Sequence, residues 1–286
     1  MNRHSRILIE LALEEDLKVS GDLTSLHFVD ENHRSVGRIV SREVAVISGS
    51  EVAQQVCTAV SPELSFESLI PDGGIAGEGD VVATITGPTR LVLTAERTVL
   101  NFMQRLCGIA TITAAHVKEI SGTGARLLDT RKTTPGWREL EKKAVLHGGG
   151  LNHRMGLYDA IMVKDNHLAA NPSPIDLAAK VAKIKASTPR LKIEVEADRI
   201  DQVATFLPIP DIDVILLDNM TNADLAKAVS MRNQVAPHLL LEASGGVTLS
   251  TIRAIAATGV DYISVGALTH SVRSIDLGLD LLAVNE

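Results

Sequence analysis

Aromatic side chains make up only 2% of the 286 residues, as one Trp, two Tyr and four Phe, and the formal net charge is −7. That excludes a nucleic-acid binder, which needs stacking rings and a basic surface. Cysteine is scarcer still. Cys57 and Cys107 allow one pairing and no disulfide framework, so free thiols in a reducing compartment are expected. No stretch approaches the ~20 apolar residues that span a bilayer, and acids interrupt MNRHSRILIELALEEDLKVSGD where a secretory signal needs an apolar core. A soluble, cytoplasmic chain is therefore expected. Neither GxGxxG nor a Walker-type loop occurs, which disfavours nicotinamide dehydrogenases and P-loop enzymes. Fixed-period repeats, low-complexity blocks and a Ser/Gly/Pro linker are also missing.

Two textures are present. From about Ser35 to Leu93, β-branched stretches (VGRIV, VAVISG, VVATIT) alternate with Gly-rich turns and one helix-like run, SEVAQQVCTAV. A long helical segment, TAERTVLNFMQRLCGIATITAAHVKEI, follows. Beyond it, six apolar strand candidates at 126–130, 160–164, 192–196, 214–218, 239–243 and 262–266 alternate with helical runs. Continuous apolar strands separated by helices predict a parallel sheet covered by helices. Polar residues collect at the strand ends, where barrel enzymes build their sites. Six strands rather than eight predict an incomplete, open barrel.

The densest chemical signal lies between Arg126 and Lys164. Eight cations (Arg126, Arg131, Lys132, Arg138, Lys142, Lys143, Arg154, Lys164) face four acids (Asp129, Glu139, Glu141, Asp159) there, in a chain that is acidic overall. Arg138, Lys142 and Lys143 read as a solvated helix face. Arg131 and Lys132 follow a strand, Lys164 ends another, and His153 with Arg154 follows the GGG at 148–150. Cations so placed suit carboxylates or phosphates. Glu194 and Glu196 share one face of a strand and Asp218 ends the next. Such carboxylates can hold sugar hydroxyls or a magnesium ion. ASGGV at 243–247 and GAL at 266–268 join strands to helices and offer backbone N–H groups to a phosphate. His4, His27, His33, His116, His238 and His270 lack metal-ligand spacing, and His147 and His167 flank the basic segment without an assigned role.

At DTRKTTPGWRELEKKAVLHGGGLNHRMGLYDAIMVKDNH (129–167) the sequence resembles the quinolinate phosphoribosyltransferases. EDLKVSGDLTS, ERTVLNFMQRLCGIAT, KIEVE, LLDNM, LEASGGV and ISVGALTHS extend the likeness along most of the chain. The resemblance implies an α/β protein with an N-terminal α/β sandwich domain at 1–105. An incomplete α/β barrel at 106–273 would carry the active site, and a C-terminal helix at 274–286 would pack back on the first domain. It implies transfer of phosphoribosyl from 5-phosphoribosyl-1-pyrophosphate to quinolinate with decarboxylation, Mg2+ as cofactor, and a homodimer. Arg131, Lys132, Thr133, His153, Arg154 and Lys164 would surround quinolinate and nearby phosphates, with Arg105 reaching in from a partner subunit. Glu194 and Asp218 would face ribose and magnesium, and Ser244, Gly245, Gly246, Gly266 and Ala267 the ribose phosphate. Lys132, Lys164, Glu194 and Asp218 are the expected catalytic set. FLPIPDID (206–213), longer than the corresponding family connection, and Trp137, in place of an aliphatic residue, depart from the pattern.

Three rival functions share some of these residues. A sister phosphoribosyltransferase acting on a mono-acid would need fewer cations. A Schiff-base aldolase would use Lys164 as its amine. A non-catalytic anion binder would not need the acidic set.

Overall fold

The computed structural model describes residues 3–169 and 173–283. Strands occur at Arg34–Ser41 (β1), Ala45–Val46 (β2), Ser65–Ser68 (β3), Ile75–Ala76 (β4), Val81–Pro88 (β5) and Arg126–Leu128 (β6). They continue at Ile161–Val163 (β7), Ile193–Ala197 (β8), Val214–Asp218 (β9), Leu240–Ser244 (β10), Tyr262–Ser264 (β11) and Leu277–Ala283 (β12). Two compact units divide the chain. The first comprises 1–114, 133–149 and 268–286, and the second comprises 115–132 and 150–267.

In the first unit an antiparallel sheet has the order β12-β1-β5-β3. Its core comes from apolar positions on these strands, among them Ile39, Val40, Val82, Ala83 and Ile85. Helix Ser50–Val60 buries Val52, Ala53, Val56 and Cys57, spaced three and four apart on one stripe. The 31-residue helix Thr89–Glu119 runs through position 105, and the division between the units falls within it, at 114/115. Its Gly108 admits a close approach of chain, since a Cβ at that position would lie 2.1 Å from the Arg273 carbonyl oxygen.

The C-terminal segment is not the expected helix. Residues 277–283 form β12, paired antiparallel with β1 from Ser41↔Leu277 to Ser35↔Ala283. Gly278 weakens a helix here, while Leu277 is buried and Leu279 packs over Gly37, where a Cβ would meet it at 3.0 Å. A backbone row on β1 that would otherwise lie open is thereby paired.

The second unit holds six parallel strands in the order β6-β11-β10-β9-β8-β7. The first strand in sequence pairs with the last, so the sheet returns to its start, while no ladder joins β6 to β7 among the described residues. An open barrel results. β8, β9 and β10 are buried along their middles, which explains their unbroken apolar sequences. The connecting helices start where the sequence supplies caps. Ser173 Oγ accepts the Asp176 N–H ahead of helix Pro174–Ser187, and Thr221 Oγ1 accepts the Asp224 N–H ahead of helix Asn222–Val235.

Two matching clasps close the amino ends of the sheet. Asp213, just before β9, accepts the Ile193 N–H at 2.7 Å and Lys185 Nζ at 2.8 Å. Asp261, just before β11, accepts the Leu241 N–H at 2.8 Å and Arg232 Nη1 at 2.7 Å. Each joins one strand start to the next and to the helix that leads into the first of the two strands.

Candidate active site

Side chains two apart on a strand share a face, so the interior of the second unit can be followed in steps. Lys164, Glu196, Asp218 and Ser244 stand at or just past the carboxyl ends of β7, β8, β9 and β10. Met162, Glu194, Leu216 and Glu242 lie one step below, and Ala160, Lys192, Val214 and Leu240 one step below those. The rim residues, with Thr130, Arg131, Lys132, His153, Arg154, Met162, Leu216, Glu242 and Ser264, line a cavity of about 340 Å3. The segments after β6 and around 150–154 supply its cations. Asp129 is fully buried and accepts the His153 N–H at 2.8 Å, tying these two segments together. Arg154 is aimed by bonds to the Ala160 carbonyl, 3.2 Å, and to Met162 Sδ, 3.4 Å. Burial and the charge of Arg131 lower its pKa, the mark of cations crowded in a site awaiting an anion.

The rim carboxylates differ from expectation. Glu196, rather than Glu194, enters the cavity, with its Oε2 2.7 Å from Lys164 Nζ. Burial and the neighbouring Glu196 charge raise the pKa of Asp218, against the Asn219 hydrogen bond and the charges of Lys164 and Lys132. Two adjacent carboxylates with hard oxygen donors, one of them carrying a like-charge penalty, fit Mg2+.

Glu194 lies below, buried against His153 Nε2 at 3.1 Å, and Glu242 Oε2 stands 3.5 Å from the same nitrogen. Burial opposes charge on His153, but the hydrogen bonds and charges of these carboxylates outweigh it and push the imidazole up to about 10. Burial, with Glu242 as a like-charged neighbour, also pushes Glu194 up. Because the Arg154 N–H donates to Nδ1 at 2.7 Å, a neutral His153 carries its proton on Nε2. The charged form does so too, but its protonated Nδ1 can no longer accept the Arg154 N–H. An Nε2–H cannot ligate a metal, so His153, Glu194 and Glu242, though their ligand atoms lie within 4.8 Å of one another, form a proton-bearing cluster. Glu194, the expected magnesium ligand, lies beside His153 rather than along the upper cavity.

The glycine turn is built for close approach. Gly245 has φ +94°, and a Cβ there would lie 2.2 Å from Asn219 Oδ1. Gly246, at φ +60°, has open space around it, so Ser244, Gly245 and Gly246 can present backbone to a phosphate. Gly266 and Ala267 follow β11, but helix Ala267–His270 has only four residues and adds little dipole.

Arg105 and Thr133 belong to the first unit. Arg105 donates Nε and Nη2 to Glu141 Oε1 at 3.0 and 2.6 Å, and Nη2 to Thr134 Oγ1 and the Thr269 carbonyl. Its guanidinium also lies 5.9 Å from the Trp137 ring centroid. Entering a partner's pocket would abandon a fully buried carboxylate, so the geometry gives Arg105 a structural role. Thr133 accepts Arg138 Nε at 3.1 Å. Also in this unit, Ser48 Oγ and Asp72 Oδ2 both approach His147 Nδ1, at 2.8 and 3.8 Å. With both on one nitrogen there is no relay through the ring. Cys57 and Cys107 are pushed up to about 12 by burial and are inert. Glu242 escaped the sequence reading, although the i, i+2 spacing from Ser244 that paired Glu194 with Glu196 would have found it.

Residues 22–107 match the N-terminal domain family of quinolinate phosphoribosyl transferase, and residues 109–280 match its C-terminal domain family. The chain is 43% identical over 279 residues to the nicotinate-nucleotide pyrophosphorylase [carboxylating] of Mycobacterium leprae, covering 97% of each. It is 38% identical over 289 residues to quinolinate phosphoribosyltransferase [decarboxylating] 1b of Nicotiana tabacum, covering 96% of this chain and 81% of that one. The solved nicotinate-nucleotide pyrophosphorylase of Francisella tularensis superposes with a TM-score of 0.89 at 36% identity, covering 99% and 97%. No helix among the described residues is long and apolar enough to cross a membrane.

Proposed function

The chain belongs to the quinolinate phosphoribosyltransferase family, and from that premise we propose that it transfers phosphoribosyl from 5-phosphoribosyl-1-pyrophosphate to quinolinate with loss of carbon dioxide. The products are nicotinate mononucleotide, pyrophosphate and carbon dioxide, in cytoplasmic NAD synthesis. One observation carries the reading. Arg131, Lys132, Arg154 and Lys164 converge on a single cavity whose rim also bears Glu196 and Asp218. Four cations match a di-acid and a phosphorylated donor better than a mono-acid.

The diacid lies deep, against Arg131, Arg154 and His153, and the donor lies at the rim. Guanidinium forks hold the carboxylates and aim the pyridine nitrogen at the anomeric carbon. Glu196 and Asp218 hold ribose hydroxyls and keep Lys132 and Lys164 poised above them. The Ser244–Gly246 turn takes the 5-phosphate. Mg2+, for which Glu196 and Asp218 are the fitting residues, would offset charge on the departing pyrophosphate. Lys132 and Lys164 add fixed positive charge to the same leaving group, and nothing in the transfer needs a covalent enzyme intermediate. Once the ring nitrogen is ribosylated and positive, it stabilises the carbanion left at the adjacent carbon by decarboxylation. The working unit is a homodimer. Exposed Val19, Leu23, Leu26 and Phe28 offer apolar surface for a second copy to cover.

Incubation with quinolinate, 5-phosphoribosyl-1-pyrophosphate and Mg2+ should yield the three products in equal amounts. Nicotinate should be a far poorer acceptor, because a missing carboxylate leaves buried cations unpaired. Equal kcat/KM for the two acids, or borohydride-trappable adducts at Lys164 with a carbonyl substrate, would overturn the assignment.

A further inference from the structure

The interior of this open barrel holds a second cavity beneath the site. Its volume is about 690 Å3, and it occupies the level of Ala160, Lys192, Val214 and Leu240, where closed barrels are plugged by branched side chains. At the amino ends of the strands, exposed Lys192, Asp211 and His238 line its mouth. His153, Arg154 and Glu242 line both cavities, so one layer of side chains separates them. That layer is loosely joined. His153 Nε2 holds Glu194 at 3.1 Å but reaches Glu242 only at 3.5 Å, and Oε1 of each carboxylate has no hydrogen-bond partner.

The reaction gives this arrangement a use. After transfer, ribose and phosphates fill the rim above the pyridine, and carbon dioxide is released from a ring carbon at the bottom. A small neutral molecule must then pass the product or the layer below. We infer that the lower cavity is the exit for carbon dioxide and the entrance for the proton that replaces it. The bond between ring carbon and carboxylate breaks, its electron pair stays on the ring carbon, and a water molecule of the lower cavity gives that carbon a proton. The hydroxide left behind is neutralised by a proton from solvent at the mouth, and carbon dioxide departs by the same route. This inference rests on the decarboxylating reaction proposed above.

Plugging the lower cavity without touching the upper one tests it. Val214→Phe and Leu240→Phe, on neighbouring strands, each fill part of the space and replace no residue assigned to binding or catalysis. Rapid-quench measurements should show pyrophosphate formed at the wild-type rate in the first turnover and undecarboxylated nucleotide accumulating. Carbon dioxide release should be slowed at least about tenfold, as when product escape limits turnover. Quinolinate binding without donor should be unchanged, and Val214→Ala, which widens the space, should behave as wild type. Melting temperature and circular dichroism identify which plugs fold, and the two sites give independent chances. Folded plugs that release carbon dioxide in step with pyrophosphate at the wild-type rate would overturn the inference, as would plugs that slow pyrophosphate formation equally. Wild-type enzyme that forms nucleotide but no carbon dioxide would instead remove the premise, a result visible before any variant is made.

Discussion

At the scale of the residue, the decisive distinction is between two glutamates one pleat apart. Glu196 pairs with Lys164 at the rim, and Glu194 is buried beneath it with His153. Glu196→Gln should lower kcat/KM for the phosphoribosyl donor by about 2 kcal/mol, the lower end for breaking a charged pair, because Lys164 is half-exposed. Glu194→Gln should leave the donor KM near wild type. Initial rates against both substrates check the contrast, and the reverse pattern would return the ribose role to Glu194. Arg105 makes a second case. Losing it strands Glu141, which is fully buried, so Arg105→Ala should cost about 3 kcal/mol of stability. Adding Glu141→Met to Arg105→Met should recover part of that. Thermal melts of the single and double variants decide it, and an Arg105→Ala protein of undiminished stability would reopen a role in the partner. The sequence made the cations legible because Arg131, Lys132 and Lys164 sit just after strand ends and Arg154 follows the GGG at 148–150. It could not rank Glu194 and Glu196, since both lie on one face and only depth separates them.

At the scale of the element, most strands were legible, because apolar runs bounded by polar ends persist whatever the neighbours. The tail was not. LGLDLLA is compatible with either period, and only the open side of β1 decides for a strand, a long-range partner 238 residues away in the Arg42–Asp280 ion pair. Removing residues 277–286 should therefore behave as the loss of a sheet strand rather than of a loose helix. Unburying Leu277 alone removes ~1.5–3 kcal/mol. With the ladder included, the melting temperature should fall by at least roughly 6 °C on the scaling for chains of this size. A truncated protein that melts with the full chain would show β12 to be dispensable.

At the scale of the whole molecule, sequence alternation predicted an open barrel, and the pairing of first strand with last explains why six strands suffice to wrap a site. The lower cavity was illegible, since an empty space has no residues of its own. The proton-bearing cluster above it sets a pH signature. His153 has a folded-state pKa raised from 6.5 to about 10. Its stabilising contribution is therefore fully present below 6.5 and lost as pH climbs through 10. The stability difference between wild type and His153→Gln should be flat at acid pH and shrink toward pH 10, measured by denaturant melts. A difference that grows with pH would mean the ring is neutral throughout. The two aspartate clasps have a different consequence. Lys185, Ile193 and Asp213 all precede residue 220, and Arg232, Leu241 and Asp261 all follow it. A chain reopened between Met220 and Thr221, by circular permutation or as two co-expressed pieces, keeps each clasp within one piece. The same cut at Pro210, ten residues earlier, would part Asp213 from both its partners. The barrel is thus a tandem of two self-fastened halves, with a seam that its own hydrogen bonds mark.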